Sequence, residues 1–242
     1  MTGSFEAVVN CTYRPSEAVL LANGFESFHV QELVIGSSDP ERHGLGLRRK
    51  LRLLSTHTQE TPIFFHMVKT DSKSVSDVID QMADVGLEMM IYSFGADFNM
   101  ESNDTDYLKR IASNIAYANS KGIEVGGYDL IVWTRKVQNN WMAVGGKGAC
   151  IASGWYDYLL ARVVNFIDST NLSMVETDGP YPRYTCSSKT HPHHLGLQDS
   201  VYWQLKLQSK FYRNLREKEV YINQPDGYFY QGGSRTGSLI LP

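Results

Sequence analysis

From residue 61 onward, short apolar runs alternate with amphipathic stretches along the chain. Apolar runs bounded by turn residues are typical of buried strands, and apolar residues three or four positions apart are typical of helices. The pattern predicts strands near residues 62–68, 88–94, 123–132, 172–177 and 219–223, and helices over 72–85, 105–120, 153–169 and 194–218. We expect Ser72 or Ser74 to cap the first helix and Gly86 to end it.

Strictly alternating strands and helices predict an α/β fold with a parallel sheet. No GxGxxG or Walker motif follows a predicted strand, which argues against nucleotide binding and favours a (β/α)8 TIM-type barrel. Five units are fewer than eight, so we expect an incomplete barrel over residues 59–242. The alternating segment Phe25–Val34 suits antiparallel strands, and residues 1–58 are interpreted as the tail of an N-terminal β-rich domain. The chain is thus expected to be a fragment or short form of a longer protein.

Composition and charge exclude several classes of protein. The 242 residues are 42% hydrophobic, which is enough for a large core, and the net charge of −3 without a basic stripe excludes a nucleic-acid partner. No apolar run reaches the length of a membrane helix, so no membrane partner is expected. Met1–Val9 lacks the regions of a signal peptide. The compartment stays open, with a secreted or lysosomal longer parent as one alternative, and so does the oligomeric state.

Acidic residues follow nearly every predicted strand. Reactive groups of such barrels lie at the carboxyl ends of strands, and glycoside hydrolysis needs one acid and one further carboxylate. The sharpest signal is the segment LSMVETDGPYP, in which an apolar strand runs directly into acidic residues and a rigid turn. Asp178 in this segment is the candidate nucleophile. The alternative is that Asp178 only begins the turn at the following Gly-Pro.

The order of three segments carries a family resemblance. IYSFGADFN, KGIEVGGYDLIVWTR and CIASGWYDYLLARVVNFIDSTNLSMVETDGPYP together resemble the catalytic barrel of α-galactosidase-like retaining glycoside hydrolases, the family 36 and melibiase group. The resemblance implies a hydrolase that acts by double displacement, with Asp178 at the position of the aspartate in the family's Lys-x-Asp motif. It also implies that Asp97 holds sugar hydroxyls, that Asp129 and Trp133 lie near the pocket, and that Arg235 in YFYQGGSRTG lines the sugar site.

The sequence also departs from this family. ETDGP replaces the usual Lys-x-Asp-x-Asn, and the family's acid/base residue belongs to a sixth strand, which the predicted elements do not include. We therefore expect a carbohydrate-acting glycosidase in a longer parent and no useful hydrolysis of glycosides by this chain alone. The alternative is a non-catalytic carbohydrate-binding or interaction protein on a truncated barrel. Trp133 and Trp141, which flank the exit of the third strand, are candidates for stacking on a sugar face.

Cysteine and histidine residues give weaker signals. His191, His193 and His194 lie in a Pro-containing loop without a helical HxxxH motif, and a solvated or substrate-contacting loop is favoured over a metal site. No metal and no cofactor are assigned. Cys150 and Cys186 are interpreted as free thiols, the alternative being a disulfide between neighbouring loops in an oxidising compartment.

Overall fold

The computed structural model describes residues 33–54, 62–93, 95–131, 139–146, 148–177 and 185–223. Within these residues, strands and helices alternate after one N-terminal helix. The helices are α1 (Pro40–Leu54), α2 (Ser72–Val85), α3 (Thr105–Ser120), α4 (Gly154–Thr170) and α5 (Ser200–Glu217). The strands are β1 (Phe64–Met67), β2 (Met89–Tyr92), β3 (Glu124–Asp129), β4 (Met174–Thr177) and β5 (Tyr221–Asn223).

The five strands form one sheet in the order in which they occur along the chain. Every neighbouring pair is parallel. In the register of the central strands, Ile91 lies beside Gly126, and Gly126 lies beside Met174. This confirms the predicted α/β class and strand order. Among the described residues the sheet is not closed, since β1 and β5 are its edges, and the architecture is that of an incomplete (β/α)8 barrel.

Local caps explain why the helices begin and end where they do. The Asp71 side chain accepts a hydrogen bond from the Ser74 backbone N–H at 2.9 Å, so Asp71 caps α2 and the prediction of Ser72 or Ser74 was wrong. Gly86 ends α2 with a φ of 80°, as predicted. Helix α5 begins at Ser200, six positions after the predicted start at residue 194. The Asp199 carboxylate binds backbone N–H groups before the helix and holds that segment in a loop.

The two faces of the sheet bury different sets of side chains. Successive side chains of a strand point to opposite faces, and one set packs against the helices in the main core. The strand members of this helix-facing core include Met90, Val125, Val175 and Ile222. The opposite face carries a small apolar cluster of Met89, Ile91 and Met174, with Tyr221 packed against it.

Two adjacent glycines allow close packing on both faces of the central strand β3. A Cβ atom on Gly126 would lie 2.4 Å from the Met174 Cε atom, and one on Gly127 would lie 2.2 Å from the Phe98 ring. The Phe98 ring stacks on Tyr92 and meets Phe166 edge-on. Glycine is therefore required here by space, because any side chain at Gly127 would overlap this aromatic group.

The prediction of a β-rich domain over residues 1–58 stays a prediction. Most of the alternating segment Phe25–Val34 lies outside the described residues, and within 1–58 the structure describes a stretch without helix or strand over 33–39, followed by α1. None of the helices in the described residues is long and apolar enough to cross a membrane.

Candidate active site

Three polar side chains from β1, β4 and β5 are hydrogen-bonded to one another near the carboxyl ends of these strands. Glu176 lies in β4 and is 3% exposed. Its Oε1 atom accepts a hydrogen bond from Asn223 Nδ2 of β5 at 2.9 Å. Its Oε2 atom lies 3.1 Å from His66 Nε2 of β1. Both carboxylate oxygens are thus engaged by side chains from other strands, which fixes the orientation of the group.

The contact between His66 and Glu176 shows that the sheet is curved. Strands β1 and β4 are three positions apart, which corresponds to about 14 Å in a flat sheet. A separation of 3.1 Å between their side chains is reached because the strands curl toward each other, as they do in a barrel. His66, Glu176 and Asn223 therefore lie on the concave, barrel-interior face. Tyr128 is paired in register with Glu176 and belongs to the same face by strand alternation.

The exposures of the Glu176 and His66 side chains differ strongly. The Glu176 side chain is 4% exposed, whereas the His66 side chain is 45% exposed. The site is thus closed on the carboxylate side and open on the imidazole side. A buried carboxylate with two fixed hydrogen-bond partners and an accessible imidazole can bind a polar ligand such as a sugar hydroxyl.

The two described pocket candidates from the sequence are not gathered around Glu176. Asp129 is 1% exposed at the end of β3, and strand alternation assigns it to the same face as Val125, which packs against the helices. Asp97 is exposed on the loop after β2. Its backbone carbonyl accepts hydrogen bonds from the hydroxyls of Thr70 and Tyr107. The roles of Asp97 and Asp129 in sugar binding stay predictions.

Three other sequence-derived site residues, Asp178, Trp133 and Arg235, lie outside the described residues. Trp141, the remaining aromatic candidate, is described and half-buried. Its ring contacts Trp155 and Tyr158, with ring centroids 5.9 and 5.2 Å away. Trp141 therefore contributes to the aromatic packing at the start of α4.

A second cluster of chemically reactive side chains lies in the loops that follow β3 and β4. Cys150, Cys186, His191 and His194 are all buried, and their sulfur and ring nitrogen atoms lie within 4.8 Å of one another. Burial, and secondarily the Cys186 thiol, raise the pKa of the Cys150 thiol. Burial, and secondarily His194, lower the pKa of His191. Both shifts favour uncharged groups. These four residues could hold a metal ion, whereas His193 is directed elsewhere and binds the Asp157 carboxylate at 2.7 Å.

Sequence reasoning missed His66 and did not group the four residues of this second cluster. His66 is the single ionisable residue within the apolar run PIFFHM, and this polar interruption of a strand was a usable signal. The grouping of Cys150 with His194 had no local signal, since the two are 44 positions apart.

Comparisons with known proteins identify the class of fold. No protein-family model and no curated protein sequence matches the chain. Among solved structures, the galactosidase domain of the α-galactosidase–sucrose kinase AgaSK matches at a TM-score of 0.53 and 12% identity, covering 73% of this chain and 29% of that chain. The family 36 α-galactosidase AgaA of Geobacillus stearothermophilus, solved with stachyose, matches at 0.57 and 11%, covering 74% and 30%. The α-galactosidase of Lactobacillus brevis matches at 0.52 and 15%, covering 73% and 28%.

These similarities show a glycosidase-like barrel fold. The chain spans less than a third of the length of each of these three neighbours. A barrel of this kind supports many unrelated reactions, so the activity has to be argued from the site.

Proposed function

We propose that the chain carries part of the active site of a retaining, α-galactosidase-like glycoside hydrolase, with Asp178 as the nucleophile. The observation that supports this proposal most is the placement of Glu176, buried at the carboxyl end of β4 on the concave face with His66 and Asn223. Asp178 follows Glu176 by two positions in the sequence. The carboxyl ends of barrel strands are where reactive groups lie in enzymes of this architecture, which supports a role for the acidic segment that follows β4.

The proposed reaction is a double displacement. The Asp178 carboxylate attacks the anomeric carbon, a bond forms between them, and the glycosidic bond breaks while the leaving oxygen takes a proton from an acid. Water then attacks the same carbon, giving its proton to the conjugate base of that acid, and the ester to Asp178 breaks. No residue of this chain is assigned as the acid/base.

The remaining site candidates have supporting roles in this proposal. Asp97 is exposed on the loop after β2 and can accept hydrogen bonds from sugar hydroxyls there. Trp133 is proposed to stack on a sugar face and Arg235 to line the pocket. Asp129 is buried at the end of β3 on the helix-facing side, and its proposed role is to support the pocket from behind β3 and not to line it.

One observation favours a second candidate, a non-catalytic carbohydrate-binding or interaction protein. Glu176 stands where the resemblance expects the lysine of Lys-x-Asp, and it places a negative group two positions from Asp178. Its hydrogen bonds to His66 and Asn223 use both carboxylate oxygens, so the Glu176 carboxylate holds the strands together and is not free to attack a substrate. Such a site can bind a sugar without attacking it.

Glycosyl fluorides distinguish the two candidates, because fluoride leaves without a proton from an acid/base. The chain is incubated with α-galactosyl, α-glucosyl and β-galactosyl fluoride, and fluoride release is followed. Under the proposal the wild type releases fluoride, Asp178→Asn lowers the rate at least about a thousandfold, and the exposed helical control Asp84→Asn leaves it unchanged. Sugar binding without Asp178-dependent fluoride release, with the fold verified by circular dichroism, would support the non-catalytic candidate.

A further inference from the structure

We infer that Cys150, Cys186, His191 and His194 form a structural zinc site. Cys150 lies in the loop between β3 and α4, and the other three residues lie in the loop between β4 and α5. Both loops follow the carboxyl ends of their strands. The four side chains are at most 8% exposed, and their potential ligand atoms lie within 4.8 Å of one another. This site is independent of the proposed glycosidase activity.

Three of the six distances between these atoms are close to the edges of a zinc tetrahedron. Zinc–sulfur bonds of about 2.3 Å and zinc–nitrogen bonds of about 2.0–2.1 Å give sulfur–nitrogen edges of about 3.5 Å and nitrogen–nitrogen edges of about 3.3 Å. Cys186 Sγ lies 3.5 Å from His191 Nδ1, and Cys150 Sγ lies 3.6 Å from His194 Nε2. The two histidine nitrogens are 3.0 Å apart and would separate by about 0.3 Å on binding zinc.

Hydrogen bonds around the cluster hold the potential ligands as a metal site requires. His194 Nδ1 lies 3.1 Å from the Gly196 carbonyl oxygen, so it carries the hydrogen and Nε2 presents a lone pair to the cluster. The Asp199 carboxylate lies 4.0 Å from the same Nδ1 atom and accepts the Gly196 N–H, which fixes this turn. The Val144 N–H donates to Cys186 Sγ at 3.3 Å, as donors do to metal-bound thiolates.

The composition of the site selects zinc and a structural role. Two thiolates and two imidazoles are a typical zinc ligand set. Four protein ligands leave no position for water or substrate, which is the arrangement of structural sites. The assignment of no metal from the sequence is replaced by this proposal.

A structural metal would also stabilise a segment that lacks regular secondary structure. Residues 185–199 contain no helix or strand. The buried members of the neighbouring apolar cluster are the small residues Ala143, Cys150, Ala152 and Cys186, with Trp203 and Leu207 packed against them. A zinc ion bound by Cys150 and by the three ligands of this segment would join it to the loop before α4 and add to its stability.

Metal analysis of the purified chain tests the inference. The chain, produced without a polyhistidine tag in zinc-supplemented medium, is measured by mass spectrometry for metals and is expected to hold about one zinc per chain. Cys186→Ser and His194→Ala should lose it. The matched control His193→Ala should keep it, because His193 binds the Asp157 carboxylate.

A second measurement keeps the test decisive if a variant does not fold. Wild-type chain in which cobalt replaces zinc should show the visible bands of tetrahedral cobalt and a thiolate-to-cobalt charge-transfer band. Absence of stoichiometric zinc and of cobalt uptake in the folded wild type would overturn the inference. So would an intact mass lower by two hydrogens with Cys150 and Cys186 joined, since a disulfide would consume both sulfur ligands.

Discussion

The contact between Gly127 and Phe98 supports a quantitative prediction about the central strand. Gly127→Ala places a methyl group where the Phe98 ring lies 2.2 Å away, whereas carbon atoms in contact are about 3.5–4.0 Å apart. The ring is stacked on Tyr92 at 4.8 Å and meets Phe166 edge-on at 5.4 Å, so it cannot move freely. Overpacking of this kind costs about 1–3 kcal/mol, which exceeds the gain of about 0.4–1 kcal/mol from stiffening the unfolded chain.

Urea or guanidinium unfolding of four chains measures this cost: wild type, Gly127→Ala, Phe98→Leu and the double variant. If the overlap of the new methyl group with the Phe98 ring causes the loss of stability, the two single effects should not add. The free energy of unfolding of the double variant should then exceed the value expected from their sum by at least about 1 kcal/mol. Gly126→Ala is the matched control, since its Cβ would meet the flexible end of Met174 and should cost less. Additive single effects, or a Gly127→Ala chain as stable as wild type, would refute the reasoning.

Two further predictions concern a helix cap and a buried tyrosine. Asp104 caps α3 by accepting two backbone N–H groups at 2.9 and 3.0 Å, so Asp104→Ala should lower the free energy of unfolding by about 1 kcal/mol while Asp104→Asn loses less, as denaturant titration would show. A cap variant as stable as wild type would contradict this. Burial raises the pKa of Tyr92 to about 12. The tyrosine hydroxyl loses its proton near pH 10 in the unfolded chain but keeps it in the folded one. Above about pH 10 the free energy of unfolding of wild type should therefore fall more steeply than that of Tyr92→Phe, by up to about 1.4 kcal/mol per pH unit. Parallel pH profiles of the two chains would show the reasoning to be wrong.

The helices and the strand order could be predicted because local signals specify them. The bounds of α2 and α3 were predicted correctly, since apolar periodicity and stop signals at Gly86 and Lys121–Gly122 coincide there. The start of α5 was not predicted, because Asp199 and His194 take part in loop contacts that the periodicity of the following residues does not reveal.

The site was predictable only in part. The rule that reactive groups follow barrel strands drew attention to the segment LSMVETDGPYP, which contains Glu176, but Asp178 and not Glu176 was singled out there. The contact of Glu176 with His66 depends on the curvature of the sheet, which no local pattern encodes. The Cys150–Cys186–His191–His194 cluster depends on two separate loops meeting in space, and the sequence spacing within HPHH gave no indication of it.

The most direct test of the proposed function is the covalent trapping of the nucleophile. In a 5-fluoro-α-galactosyl fluoride, the fluorine at C5 slows both displacement steps, and the anomeric fluoride leaves without acid catalysis. A glycosyl-enzyme should therefore accumulate on the chain. Intact mass and peptide mapping are predicted to show one fluorogalactosyl group on the peptide that contains Asp178, and none on Asp178→Asn. The absence of an adduct on the folded wild-type chain, or an adduct on another carboxylate that persists in Asp178→Asn, would contradict the account.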